Sequence, residues 1–342
     1  MAVSGTVTFN VTQSEIISAA LRLCNVLDPE VGTASTNQLT YGTQALNMML
    51  KSWEAYGLQL FQRRYAAIFP QLNQEYYVLG SPGPSGDHAC LSTPLGSGFV
   101  STTLSSAIAA TGTSAVCDAI STDGTVGVPA ITIATGWYIG IEQTDGTRFW
   151  TTVNGAPSGT TCTLTAGLTV GASAGATVFA YQTKLIKPLR VLDGFTRQIE
   201  GNDVPHLMIS REQYNRFGMK SSSGTSIQAY YDAQRDSGNY YVYPTTNDVT
   251  QILYIEFQKP FDDMSGATQN MDVPQEWIEA IKWGLAARLA PEYGVPKEKI
   301  AYIKGMADQA LALVDGWDQE PTSLLLQPDQ WAYTPGYTGS NK

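Results

Sequence analysis

Apolar residues recur at helical spacing near both ends of the chain, and in short or alternating runs between them. Behind Thr12-Gln13-Ser14-Glu15, the residues Ile16, Ile17, Ala20, Leu23, Cys24 and Leu27 follow the period of an amphipathic helix. The four leading residues spell a capping box, in which Thr12 and Glu15 satisfy each other's exposed amides. Asp28-Pro29 is expected to end this helix. A second helix is predicted after Ser35 or Thr36, with Leu39, Leu46, Met49, Leu50 and Trp53 as its stripe and Gly57 as a left-handed cap. The helical period returns after Asp272, where Pro274 suits a first turn. Trp277, Ile278, Ile281, Leu285 and Leu289 form one stripe, and Pro291 and Gly294 are expected to break it. A further helix is predicted from near Pro296 to near Gly316, carrying Ile300, Ile303, Ala307, Leu311 and Val314. Helices this short are marginal alone in water. Their stripes are therefore expected to share one core as a discontinuous helical bundle of residues 1–61 and 273–317, with Ile16, Leu23, Leu46, Leu50, Trp53, Trp277, Ile281, Leu285 and Leu311 inside it.

Between the helices the pattern is that of strands. Tyr65 to Gly80 reads as extended, strongest at Tyr76 to Leu79. Short runs at Val128 to Ile133, Trp137 to Glu142, Arg148 to Val153, Thr161 to Leu168 and Thr177 to Tyr181 alternate with turn signals. Thr144-Asp145-Gly146 marks a hairpin between two of them. Ser101 to Ser114 is compatible with helix or loop. Residues 87–182 are expected to form a small inserted β-barrel or sandwich. Leu189 to Thr196 reads as a strand and Ser210 to Phe217 as a short helix capped by Ser210. Ile227 to Asp232, Asn239 to Tyr243 and Gln251 to Gln258 read as a β-meander within residues 62–86 plus 183–272. Its tyrosines (Tyr230, Tyr231, Tyr240, Tyr241, Tyr243) alternate between faces. The predicted class is α+β, with an extended arm at 318–342.

Charge changes this picture most in the insert. Residues 87–182 hold six charged residues (Asp87, Asp118, Asp123, Glu142, Asp145, Arg148), and no lysine occurs between Lys51 and Lys184. Over the 342 residues charged side chains make up 15%, and the formal net charge is −10. A typical charged share is about 25%. So low a charge suits a secreted protein or a virion component, much of whose surface meets another subunit. An acidic chain is poorly suited to wrap DNA, which requires several Lys or Arg contacts to phosphate. It is compatible with a surface past which DNA slides. Residues 1–12 lack a secretory pattern, no stretch has the composition of a membrane span, and synthesis in the cytoplasm with free thiols is expected. Cys24, Cys90, Cys117 and Cys162 form no ligand cluster. His88 and His206 sit in no nucleophile or metal motif, and surface loops are expected for both. No catalytic residue, metal or cofactor is predicted.

One further signal lies in the order of several motifs. Ala45-Leu46-Asn47-Met48-Met49-Leu50-Lys51-Ser52-Trp53, followed by Tyr56-Gly57-Leu58-Gln59-Leu60-Phe61, resembles a segment of short-tailed phage head-to-tail adaptor proteins, also called tail accessory or packaged-DNA-stabilisation proteins. Val273-Pro274-Gln275-Glu276-Trp277, continuing into Gly284-Leu285-Ala286-Ala287-Arg288-Leu289-Ala290-Pro291-Glu292-Tyr293-Gly294, is similar to a second hallmark of that family. Ile209-Ser210-Arg211 with Tyr214, Tyr240-Tyr241-Val242-Tyr243-Pro244, and Gly140-Ile141 with Asp145-Gly146-Thr147 and Trp150-Thr151-Thr152-Val153 resemble its longer members. The resemblance implies a virion structural protein of the neck, assembled in the host cytoplasm. It implies a homo-oligomeric ring, usually of twelve copies, below the portal protein. The ring would offer a platform to a downstream tail or nozzle protein and line part of the channel through which DNA passes unbound during ejection. It also implies a C-terminal arm that reaches a neighbour or the portal, for which Leu324, Leu325, Leu326, Trp331 and Tyr333 are the expected anchors. Two other readings stay open: a carbohydrate-binding or adhesin-like tail protein acting through the β-insert, and a wall-degrading tail enzyme.

Overall fold

The computed structural model describes residues 9–30, 32–55, 60–80, 86–122, 124, 129–198, 201–266 and 268–317. The chain divides into two compact units, residues 1–45 with 266–342, and residues 46–265. The class is α+β, with helices toward both ends and a β-rich middle.

The first unit opens with α1 (Gln13–Leu23). Its capping box forms as expected: the Glu15 carboxylate accepts from the Thr12 amide and the Thr12 hydroxyl, both at 2.8 Å. The helix stops before Leu27, not at Asp28-Pro29. Asn25 takes a left-handed conformation (φ 57°), which asparagine tolerates at a helix end, and the Val26 amide donates to Leu21 O at 3.0 Å. The next helix, α2 (Thr36–Glu54), begins in this unit and ends in the other. Ser35 and Gln38 cap it reciprocally. At Gly42 an added Cβ would lie 2.5 Å from Ile17 Cγ2, so glycine lets α2 approach α1 closely.

Two helices close the described part of the chain and follow, in chain order, a short helix of the second unit. That helix is α3 (Arg211–Asn215), and the closing pair are α4 (Trp277–Glu292) and α5 (Lys297–Trp317). Pro291 does not break α4. It lies in the last turn, so only one ladder hydrogen bond near the helix end is lost, and α4 ends at Glu292 with Gly294 just beyond it at φ 67°. Trp277, Ile281, Leu285, Leu289 and Ile16 are buried in this unit, while Leu23 and Leu311 are half-buried. The Cys24 thiol donates to Ala286 O at 3.5 Å, tying the end of α1 to α4.

The second unit carries the strands, in chain order β1 (Arg63–Ile68), β2 (Tyr76–Leu79), β3 (Ala89–Leu91), β4 (Phe99–Thr103), β5 (Ser114–Val116), β6 (Tyr138–Glu142), β7 (Arg148–Thr152), β8 (Thr161–Thr163), β9 (Thr177–Tyr181), β10 (Arg190–Arg197), β11 (Asp203–Pro205), β12 (Leu207–Met208), β13 (Ser223–Gly224), β14 (Gln228–Ala233), β15 (Gly238–Tyr243), β16 (Thr245–Thr246) and β17 (Ile252–Gln258). A five-stranded sheet has the order β11-β10-β17-β1-β3, and a four-stranded sheet the order β12-β14-β15-β2. Their facing sides share a core of Ile68, Tyr77, Tyr240, Val242, Leu253 and Phe257. The expected meander is therefore split. β14 and β15 pair antiparallel, but β17 pairs with β1 and β10 in the other sheet. Pro244 has no amide to extend the β15 ladder, and residues 244–251 carry the chain across. After β17 the chain returns along the end of α2. Asn47 exchanges hydrogen bonds with the Met264 backbone at 2.9 and 3.0 Å, and Lys51 donates to Phe261 O at 2.6 Å. Leu46, Leu50 and Trp53 are buried.

Within the insert, β4-β9-β6-β7 form an open sheet and β5-β8 a ribbon. Single bridges at Leu104–Cys117 and Val153–Leu164 join the two around a common core that includes Cys117, Ile139, Ile141, Cys162 and Val178. The described strands do not close a barrel. The predicted hairpin forms as Tyr138–Glu142 against Arg148–Thr152, with Asp145 Oδ1 accepting from the Thr147 amide at 3.0 Å and its hydroxyl at 2.6 Å. Two expectations are met only in part. Val128 lies outside the described residues, and the rest of the run to Ile133 forms no named strand: Thr132 bridges Ser121, Ile131 O accepts from the Thr122 amide at 2.9 Å and the Ile133 amide donates to Ile120 O at 2.8 Å. Ser101 to Ser114 begins as strand β4, held against β9 through Thr103–Thr177, and continues without a helix or strand until β5.

Candidate partner-binding surfaces

The tyrosine-rich sheet has two different faces because side chains alternate along a strand. Tyr240 and Val242 point inward and are fully buried, whereas Tyr230, Tyr241 and Tyr243 lie on the outer face. Ser210 starts α3 with a reciprocal cap to Gln213, and this short helix sets Tyr214 and Phe217 over that face. Tyr230 and Tyr241 stack at 5.7 Å, and Phe217 and Tyr243 at 4.2 Å with 14° between planes. Tyr76 packs on Tyr241 at 5.2 Å, and the Lys220 ammonium lies 5.7 Å above the Tyr214 ring. Burial, with Glu75 nearby, pushes the Tyr214 hydroxyl up to about 12. Leu207 (63% exposed), Ile227 (48%) and Met219 (68%) are exposed residues of the same stretch of chain. Because these rings stack on one another, they offer edges and hydroxyls, not open flat faces. Such an amphipathic surface is typical of protein interfaces.

A second surface lies within the helical unit. Phe9, Val11, Ile16, Ala19 and Ile278 line a groove of about 400 Å³ whose polar lining includes Glu15, Arg22, Glu279 and Lys282. Glu279 accepts from Lys282 at 2.6 Å and from the Trp283 indole at 2.7 Å, which holds its carboxyl below the usual range.

Both histidines depart from the expected surface loops. His206 is buried. Its Nε2 lies 2.7 Å from the Thr196 hydroxyl and its Nδ1 2.8 Å from the Tyr240 hydroxyl. Burial pushes its pKa down to about 4. His88 stacks on Trp150 at 3.8 Å and 3°, and its Nδ1 is 2.7 Å from the Tyr181 hydroxyl. Burial and the Lys184 ammonium push it down to about 3. Both imidazoles are neutral at neutral pH and are fixed by hydrogen bonds to the buried hydroxyls of Thr196, Tyr240 and Tyr181. Sequence reading missed them, although Gly194, within the strand-like run at Leu189 to Thr196, marks the close approach that admits His206. A Cβ at Gly194 would lie 2.5 Å from the Tyr240 hydroxyl and 3.2 Å from His206 Nδ1.

Among the described residues no group of His, Cys, Asp and Glu is arranged to hold a metal ion, and no helix is long and apolar enough to cross a membrane. The arm residues Leu324, Leu325, Leu326, Trp331 and Tyr333, and the expected cap Gly57, lie outside the described residues.

The family described as SU10 adaptor protein matches residues 141–327, more than half of the 342. No curated protein matches the chain.

Proposed function

Because the chain belongs to the SU10 adaptor protein family, whose members are phage head-to-tail adaptors with a structural role, we propose that it forms a connector ring between the portal of the DNA-filled head and the tail. The observation that carries this reading is the span of the match. It runs from within the insert, through β10, β11 and β17 of the five-stranded sheet and β12, β14 and β15 of the four-stranded one, to α4, α5 and residue 327.

In this reading copies of the chain close into a homo-oligomeric ring, of twelve subunits if it follows its relatives, in the virion neck. Portal protein lies on one side and a downstream tail or nozzle protein on the other. DNA crosses the channel without specific binding, which the net charge of −10 favours. The arm from 318 to 342 docks on the portal or on a neighbour, with Leu324, Leu325, Leu326, Trp331 and Tyr333 as anchors, since spaced apolar residues in an extended segment order on binding. The outer tyrosine face, with Tyr76, Tyr230, Tyr241 and Tyr243, meets a tail or capsid protein. The ring is assembled in the host cytoplasm and acts at genome ejection as a conduit, without catalysis.

The test is to mix the purified chain with portal rings and image the product by electron microscopy. A ring stacked coaxially on the portal is expected. Particles in which the chain ignores the portal overturn the reading. Deleting residues 318–342 is expected to impair docking while the circular dichroism spectrum of the fold is retained.

A further inference from the structure

Helix α5 buries Ile303, Ala307 and Val314, half-buries the flanking Lys299, Ile300, Met306, Ala310 and Leu311, and exposes its other described residues. On one exposed side stand Lys297, Lys304, Asp308 and Asp315, at intervals of seven, four and seven residues. At about 100° per residue these four fall within a row roughly 40° wide. The row is basic in its first half and acidic in its second, and it reads with opposite sign from either end. None of the four forms an ion pair among the described residues, although Lys304 and Asp308 are one turn apart. Both lysines of the row lie toward the helix N-terminus and both aspartates toward the C-terminus. That arrangement opposes the helix dipole, which favours acids at the N-terminus and bases at the C-terminus. The favourable Glu298 lies off this row.

We propose that this row is a self-recognition surface, on which α5 of a second copy of the chain packs antiparallel. In that pairing Lys297 meets the second copy's aspartate at the far end of the row, and Lys304 meets the aspartate at its middle. The two-fold axis repeats both contacts, which gives four ion pairs along about 27 Å of helix. The antiparallel neighbour also brings its acidic end beside the basic end of the first helix, which removes the conflict with the dipole. A parallel neighbour would set lysine on lysine and aspartate on aspartate. Charges flanking a helix seam fix partner and orientation in this way. Only Ala301, Gly305 and Ala312, which are small and exposed, border the row on one side, and an added Cβ at Gly305 meets nothing within 4 Å. A two-fold contact of this kind is closed on itself. It therefore pairs free copies and does not propagate into a ring, and the proposal stands independently of the adaptor reading.

The test uses the full chain in sedimentation velocity. A dimer is expected at about 0.1 M salt, with its dissociation constant weakened about tenfold or more at about 1 M, where the screening length falls from about 10 Å to about 3 Å. Two variants separate charge complementarity from folding: Lys297→Glu with Lys304→Glu, and Asp308→Lys with Asp315→Lys. Each alone is expected to stay monomeric, and an equimolar mixture of the two is expected to restore the dimer as a heterodimer. A wild-type chain that is monomeric at low salt overturns the proposal, as do variants that self-associate like wild type or a mixture that stays monomeric although both circular dichroism spectra are native.

Discussion

Replacing Arg148 by methionine tests what holds the insert onto the rest of its unit. Arg148 is 4% exposed. Its guanidinium donates to Gly140 O at 3.1 Å, to Thr177 O at 3.3 Å, to the Thr177 hydroxyl at 2.9 Å and to Val249 O at 2.6 Å. It also lies 4.3 Å from the centre of the Phe179 ring. Three of those acceptors belong to the insert sheet and the fourth to the crossing at 244–251. Burial pulls the guanidinium down to about 10, against the opposing pull of Glu142 and Asp248, so it remains a cation at neutral pH. Methionine fills much of the volume but strands the Val249 and Thr177 carbonyls. Leaving a buried acceptor unpaired costs about 1–3 kcal/mol, and breaking a buried charge arrangement from one side costs about 3–5 kcal/mol. Removing the cation returns part of its own desolvation cost, so the net loss is set at about 3–5 kcal/mol. For a unit of this size about 1 kcal/mol moves Tm by roughly 2–4 °C, which predicts a fall of about 10 °C. Urea unfolding of the full chain, followed by far-ultraviolet circular dichroism, measures the loss directly. Arg148→Lys keeps the charge but not the fork, and is expected to lose about 2 kcal/mol, since lysine lacks the planar set of donors. A loss below about 1 kcal/mol for the methionine variant, or full retention by lysine, would refute the reasoning that geometry at Arg148 locks the insert.

Other predictions follow from buried groups and exposed rings. His206 is neutral when folded, with a pKa near 4 against an ordinary 6.5; the unfolded chain binds the proton more readily, so its contribution is complete above pH 6.5 and is lost as pH falls toward 4. That loss amounts to about 3 kcal/mol, and His206→Gln is expected to flatten the dependence in urea titrations run across that range. Gly194→Ala places a methyl group 2.5 Å from the Tyr240 hydroxyl and 3.2 Å from Tyr254 O, and is expected to lower stability by about 1–3 kcal/mol in the same assay. Tyr230→Ser with Tyr241→Ser is expected to leave the fold intact, because both rings lie on the outer face, and to weaken capture by the tail or capsid partner in a pull-down from purified components; unchanged capture would remove the tyrosine face from the interface.

The helices were legible because their signals are local. Thr12 to Glu15, Ser35 to Gln38 and Ser210 to Gln213 mark their own starts, and a period near 3.6 sustained over several turns has few competing readings. The strand order was not legible, because β-pairing here joins residues far apart in the chain. β17 lies between β1 and β10, matching Ala67 with Tyr254 and Phe195 with the same Tyr254, and no turn residue near Tyr254 records either partner. Asp145-Gly146 specified its hairpin because both strands are adjacent to it. The burial of His206 was hidden for the same reason: Pro205 and Leu207 beside it look like a loop, and its hydrogen-bond partners Thr196 and Tyr240 come from two other strands.

The sparse charge of the insert takes on a different meaning once its partners are known. Asp87 accepts from the Val78 amide at 2.6 Å, Asp118 from the Thr103 hydroxyl, Glu142 from the Thr177 amide and hydroxyl, and Asp145 from Thr147, while Arg148 donates only inward. Each of these five acts as a pin at a strand end or turn. Asp118, Glu142 and Asp145 thus hold the insert's own geometry, Asp87 and Arg148 tie it to Val78 and Val249 beyond it, and the insert presents mainly threonine, serine, alanine and glycine outward, as where the Thr152 and Thr165 hydroxyls meet at 2.8 Å. Contacts made by such a surface rest on shape and neutral hydrogen bonds, which salt screens little. The α5 row is the opposite case, with unpaired charges and a strong dependence on salt. Ionic strength therefore separates the two: an interaction that survives about 1 M salt belongs to the insert or the tyrosine face, and one that is lost belongs to α5.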